Sequence, residues 1–286
     1  MAMKTCKWMT AMMLCAGFSL SACTSDDGLS SPSETKQGQL VLKLSSGAEF
    51  RENTRAVNLD TYKNTDNYTV KVYDKNGVEK LNCKGSELEQ NMPLTLTIGS
   101  YKVIASYGKE HNASRDEFYV EGTAAGTIKA GSQNEPAIVT CTPTCGRISV
   151  LFDAGMSDYF SDYSVDFKGT KALGANSVSW AKNDSEPWYV KLEENGENIT
   201  FTINATAKEE YSSNGTWSGT FNLQRNKAYK VNVKPSPIAP GTGNIDLEIY
   251  IDQTTNDIEK DIEVPVTWIK EIRPHSILYY NNIYKN

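Results

Sequence analysis

Leu94-Thr95-Leu96-Thr97-Ile98-Gly99-Ser100-Tyr101-Lys102-Val103-Ile104-Ala105 is the stretch whose pattern decides the fold. Leu94, Leu96 and Ile98 alternate with Thr95 and Thr97, and a β-rich run follows Gly99. Side chains of an extended chain point alternately to its two faces, so a period of two marks half-buried strands. Upstream, Leu40–Leu44 and Tyr68–Tyr73 have the same period, and Asp74-Lys75-Asn76-Gly77 supplies the Asn-Gly pair that favours a tight hairpin. Downstream, strands are predicted at Glu117–Glu121 and Ala137–Cys141, completing one sandwich.

A second set follows at Arg147–Phe152, Tyr163–Phe167, Val178–Ala181, Trp188–Leu192, Ile199–Ala205, Thr216–Leu223, Tyr229–Lys234 and Ile245–Ile251. Only Ala154–Ser161 reads as a short helix. Strands at roughly ten-residue spacing with turn residues between them, and no long amphipathic helix, exclude a parallel α/β fold. The expected fold is all-β: two tandem β-sandwiches, transthyretin-like or immunoglobulin-like, over residues 38–142 and 146–269. Pro143 and Gly146 mark the boundary, and Pro235 to Gly243, with three prolines and two glycines, reads as a linker before the last strands. Tyr101-Lys102-Val103 is echoed by Tyr229-Lys230-Val231, as tandem copies would have it.

The amino terminus has its own logic. Residues 1–22 carry Lys4 and Lys7, no acid, and an apolar stretch from Met9 to Leu20, the features of a signal peptide. That stretch is too short for a permanent membrane span, which takes about 20 apolar residues. Leu20-Ser21-Ala22-Cys23 resembles the lipobox of bacterial lipoproteins, so Cys23 is the expected lipidation site and the outer membrane, reached through that lipid, the expected partner. An ordinary cleaved signal with a chance cysteine is the alternative. Thr24-Ser25-Asp26-Asp27-Gly28 is similar to the acidic export signal of Bacteroidetes surface lipoproteins, and residues 23–37 read as a flexible tether with or without that role.

About 260 residues remain after the leader, enough for two domains. The whole chain has 29 basic and 35 acidic residues, and the leader takes two lysines with it. An acidic surface argues against a nucleic-acid partner. Beyond the leader and Cys23, the cysteines are Cys83, Cys141 and Cys145, an odd number that cannot close a disulfide framework. No histidine lies near Cys141 and Cys145, so zinc lacks ligands there; buried free thiols are the expected state.

No motif marks an active site. The two histidines, His111 and His275, lie in a polar loop and the final tail. There is no nucleophile elbow, phosphate loop, zinc-protease motif, dinucleotide fingerprint or calcium loop. Asp158, Asp162, Glu193 and Glu194 fall in turns, where a solvated carboxylate is the ordinary role. The expectation is no catalytic residue, no metal and no cofactor. Trp180, Trp188, Tyr189 and Trp217 are the candidate ligand-stacking residues, for a glycan or a host protein; filling the sandwich core is their alternative. On the Trp188–Leu192 strand, period two puts Trp188 with Val190 and Tyr189 with Lys191, so Tyr189 is expected to be the exposed ring.

Several segments carry a resemblance. The order of lipobox, acidic tether, Gln39–Leu44 strand and Glu52-Asn53-Thr54-Arg55-Ala56-Val57 resembles Bacteroidetes fimbrillin-like lipoproteins. Ile98–Val103, Val139–Thr142, Tyr159–Val165 and Ile251–Asp257 look like a Bacteroidetes lipoprotein family described only as a domain of unknown function, of the DUF4493 type, over roughly Gln39 to Val264. The fimbrillin resemblance implies cleavage by an arginine-specific protease, here after Arg55, releasing the first strand so that a strand from a like subunit fills the groove. Arg55 as an ordinary loop residue is the alternative. The two functions expected are a structural or adhesive surface lipoprotein and a glycan-binding surface lipoprotein. Residues 270–286, basic and aromatic, do not resemble the family's ending; a donor strand, an extension and a lineage-specific replacement are all open.

Overall fold

The Leu94–Ala105 stretch divides at Ile98 between two sheets in the computed structural model, which describes residues 36–130, 136–209, 215–236 and 257–265. The signal peptide, Cys23, the tether up to Thr35, the strand expected at 245–251 and the 270–286 tail lie outside the described residues. The first half consists of β1 (Gln37–Leu40), β2 (Leu42–Ser46), a short helix α1 (Leu59–Lys63), β3 (Thr69–Asp74), β4 (Glu79–Lys84), β5 (Leu94–Thr97), β6 (Gly99–Gly108), β7 (Ala113–Ser114), β8 (Tyr119–Ile128) and β9 (Ala137–Pro143). The second half has β10 (Cys145–Phe152), the helix α2 (Met156–Tyr159), β11 (Phe160–Lys168), β12 (Val178–Ala181), β13 (Trp188–Lys191), β14 (Glu197–Ala207), β15 (Gly215–Leu223), β16 (Ala228–Ser236) and β17 (Asp257–Pro265). The chain is all-β and sandwich-like.

In the first half the order β2-β9-β8-β6-β3-β4 forms one sheet and β1-β5 a second, smaller one. Tyr101, Val103 and Ala105 of β6 point inward and Lys102 outward, as period two requires. They share a core with Leu40, Leu96, Val70, Val72 and Val120. The predicted hairpin closes where Gly77 takes a φ of 79° and Asp74 accepts from the amides of Asn76 and Val78. Two expectations need correction. Leu40–Leu44 is two strands, because the chain changes sheets at Val41: β1 runs antiparallel to β5, and β2 runs parallel to β9. α1 was not anticipated, and the hairpin's return strand β4 had no pattern of its own to give it bounds: it buries only Cys83, so it lacks an apolar alternation.

The second half stacks β17-β16-β10-β13-β7 against β12-β11-β14-β15. Val165, Phe167, Trp180, Ile199, Phe201 and Ile203 meet Ile148, Val150, Val190, Val231 and Val233 between them. Pro235, expected to open the linker, instead lies within β16, paired with Val264 of β17.

The two cores meet on a single sheet. β7, from the first half, adds an edge strand beside β13. On β10, β13 and β16, Cys145, Tyr189 and Ala228 belong to the first core, while Ile148, Val190 and Tyr229 belong to the second. One end of the five-stranded sheet is therefore covered on both faces. All described residues fall within one compact unit that starts at Lys36.

Arg115, between β7 and β8, clamps the seam from outside. Its guanidinium donates to both Asp184 oxygens at 2.8 and 2.7 Å and to the Ser179 carbonyl at 3.0 Å, and lies 4.8 Å from the centre of the Trp188 ring. A bidentate, partly buried ion pair of this kind is among the stronger polar contacts. Replacing Arg115 by Ala is expected to cost about 1.5–3 kcal/mol in urea unfolding, and Arg115→Lys to recover only part, because an ammonium cannot form the fork.

Candidate functional site

The segment after β2 crosses the seam as a strap. Gly47 is held by the Cys141 carbonyl, to which its amide donates at 2.8 Å. Asn226 grips the strap twice: its side-chain amide donates to the Gly47 carbonyl, and its side-chain oxygen accepts from the Glu49 amide, both at 2.8 Å. Asn226 has a φ of 58°, in the left-handed region that asparagine tolerates better than most residues. Glu49 pairs with Lys227. Phe50 is then buried edge-on against Phe118 at 5.3 Å and tilted on Tyr189 at 5.7 Å.

Two residues further, Glu52 meets the second half's charges. Arg147 of β10 donates to the Glu52 carbonyl at 3.1 Å and to its carboxylate at 3.4 Å, while Lys230 of β16 donates to the other carboxylate oxygen at 3.0 Å. The Arg147 residue is only 5% exposed, and its buried Nε has no hydrogen-bond partner. Its position follows from register: Arg147 stands opposite Tyr189 and Ala228, the row turned toward the first core. A guanidinium there cannot shed its charge and needs an acceptor.

The strap then turns at Thr54, whose amide donates to the Val57 carbonyl at 3.0 Å while its hydroxyl accepts from the Val57 amide. Arg55 sits on this turn with its side chain 88% exposed, 3.8 Å from Glu186. Glu52–Arg55 on one side and Ser185–Pro187 on the other enclose a cleft of about 380 Å³ whose lining includes Ser149, Leu151, Lys230 and Asn232. Charged groups ring the cleft, Arg55, Arg147 and Lys230 set against Glu52 and Glu186, while apolar carbon forms most of its wall.

Trp180 and Trp188 share the Arg115 guanidinium, which lies 5.8 and 4.8 Å from their ring centres, but the four aromatic candidates form no common exposed surface. Trp180 is fully buried and donates its Nε1 to the Glu186 carbonyl at 2.8 Å. Tyr189, expected to be exposed, is 2% exposed, which corrects that expectation. Period two separates the faces of β13 correctly, but both faces are covered, one by each core. Trp188 is half-buried with Arg115 over its ring, so its π face is already occupied within the chain. Trp217 is half-buried on a different sheet, 5.1 Å from Phe201. Asp158, Asp162, Glu193 and Glu194 are exposed. Cys83, Cys141 and Cys145 are free and buried; burial pushes the Cys141 thiol up to about 12 and raises that of Cys145 as well. Glu52, Asn226, Arg147 and Lys230 had no sequence signal beyond the oddity of an arginine between buried Gly146 and Ile148.

The hydrogen bond from Lys230, followed by the charges of Lys230 and Arg147, holds the Glu52 carboxyl below its ordinary value of 4.5, against a partial desolvation that raises it. A carboxyl lowered in the folded state adds stability that is complete above its unfolded pKa and disappears as pH falls through the folded value. Half of the Glu52 side chain is in solvent, which keeps this contribution to about 1 kcal/mol or less. Urea unfolding of the wild type and Glu52→Gln should therefore differ at pH 7, with the gap closing as the pH drops below 4.5.

Among solved structures, the chain is similar to a fimbrial assembly protein from Parabacteroides distasonis, at 12% identity and a TM-score of 0.39 over 68% of this chain and 91% of that one. It is also similar to a candidate cell adhesion protein from Bacteroides eggerthii, at 13% identity and a TM-score of 0.39 over 72% and 88% of the two chains. Candidate polysaccharide-binding proteins from Bacteroides thetaiotaomicron align at 13% identity and a TM-score of 0.34 over 60% and 76%. No curated protein matches. The model of one family, described as Domain of unknown function (DUF4493), matches residues 36–266, and the chain belongs to that family.

Proposed function

We propose that this chain is a lipid-anchored cell-surface protein with a structural or adhesive role, a fimbrillin-like subunit or accessory protein, facing the cell exterior from the outer membrane through lipid on Cys23. Cleavage after Arg55 releases its amino-terminal strands for exchange with a strand of a like subunit. The observation that carries this reading is the pairing of β1 and β2. Among the described residues, β2 is the edge strand of its sheet with β9 as its neighbour, and β1 shares a two-stranded sheet with β5. Both leave with residues upstream of Arg55, which stands on an exposed turn.

Their departure opens a groove with backbone donors and acceptors along β9 and β5. It also vacates the pockets of Leu40, Leu42 and Phe50, each buried to 4% exposure or less. Side chains of this size contribute about 1.5–3 kcal/mol apiece when buried, so an empty groove strongly favours refilling by an incoming strand, which supplies ladder bonds and side chains together. No catalytic role is assigned.

A glycan-binding surface lipoprotein is the second reading. The cleft beside Arg55, ringed by charges over an apolar wall, and the half-exposed Trp217 favour it, while Trp180 and Tyr189 no longer do.

Mass spectrometry of the protein isolated from cells tests the first reading. A species beginning at Ala56, together with higher oligomers, is expected, and Arg55→Ala should abolish both. A mature protein that begins only at lipidated Cys23 and stays monomeric would count against it.

A further inference from the structure

We propose that Arg147, with Lys230 beside it, forms a carboxylate socket that dictates what any replacement strand must carry: a large apolar residue followed, two positions on, by an acid. This rests on the reading that cleavage after Arg55 frees the amino-terminal segment. In the uncut chain the requirement is met by Phe50 and Glu52, with exposed Arg51 between them. Phe50 fills the pocket walled by Phe118 and Tyr189. Glu52 supplies both the carbonyl and the carboxylate that Arg147 uses.

Both acceptors leave if residues up to Arg55 depart. The guanidinium stays behind, because β10 is held between β16 and β13 and its Arg147 side chain is only 6% exposed. Its Nε is already without a partner, and a guanidinium cannot be neutralised by losing a proton. With the groove empty, water reaches the guanidinium in place of the lost acceptors. An incoming segment that fills the Phe50 pocket without delivering a carboxylate seals the cation away from that water with no acceptor, which is strongly unfavourable. The socket thus discriminates among apolar strands that backbone pairing alone would accept equally, and it works by penalising the wrong ones. The occupant it fits is a strand of a like subunit carrying Glu at that position, opposite in charge to the socket.

The test uses the full-length mature chain cut after Arg55, titrated with labelled synthetic peptides spanning Gln37 to Arg55, one native and one carrying Glu52→Gln. The native peptide is expected to bind, and the Gln peptide to bind at least tenfold more weakly. The gap should vanish on cut Arg147→Met protein and persist on cut Arg147→Lys, which retains the charge if the Met variant fails to fold. Equal binding of the two peptides to the wild type overturns the socket while leaving strand release intact. A gap that survives Arg147→Met also overturns it. Failure of the native peptide to bind to the cut chain overturns strand exchange itself, and the socket with it.

Discussion

The structure depends on one constraint: an end of the five-stranded sheet has protein on both of its faces. A strand buried on one face tolerates polar residues on the other; a strand buried on both must supply apolar or fully partnered side chains at every position. β13 shows the consequence, with Tyr189 in the first core and Val190 in the second. β10 shows the exception, because its seam-facing row carries Arg147, and an arginine at such a position has to be answered by an acceptor from elsewhere. The strap, the Glu52 pairing and the short strand β7 all follow from closing that seam. Without them, the sheet would present a buried charge, an aromatic cluster and an open edge to water.

Much of the strand layout could be read because it depends on short-range periodicity. Val178–Ala181 coincides with β12, whereas the even-numbered row of Leu94, Leu96 and Ile98 does not carry through Gly99 into β6, where Tyr101, Val103 and Ala105 are the buried residues. The failures share a cause. Period two distinguishes the faces of a strand but carries no information on how many of them are covered, so Tyr189 was expected in solvent. It also cannot see a change of sheet within an unbroken apolar alternation, so β1 and β2 were read as one strand although their ladders lie in different sheets. β4 and β7 are edge strands with little to bury, and edges leave the weakest pattern.

The candidate site divides along the same line. Arg55 was nameable from the sequence only through the fimbrillin resemblance of Glu52–Val57, a single local stretch of chain. The charges that surround it were not, since Arg147 and Glu52 are 95 residues apart and Lys230 and Glu52 are 178 apart. Such pairs exist only once two cores are placed against one sheet. The tryptophans mislead for a related reason. Trp188 does keep part of its ring at the surface, but Arg115, 73 positions earlier in sequence, lies over it and uses the π face that a sugar would need.

Seen energetically, residues 36–55 are held by ladder bonds to β5 and β9, by burial of Leu40, Leu42 and the Phe50 ring, by Asn226 and Lys227 on Gly47 and Glu49, and by the Glu52 carboxylate on Arg147 and Lys230. Breaking the backbone after Arg55 would remove none of these contacts. What it removes is the tether, which keeps a segment joined by a short linker at an effective concentration on the order of millimolar. Intact, the segment rebinds faster than any competitor can enter; severed, it becomes one ligand among others, with its residence set by those contacts alone. Scission at an exposed turn can therefore switch the groove from closed to exchangeable without disturbing the fold. The contacts that outlast it would then decide which strand could take the place of the first.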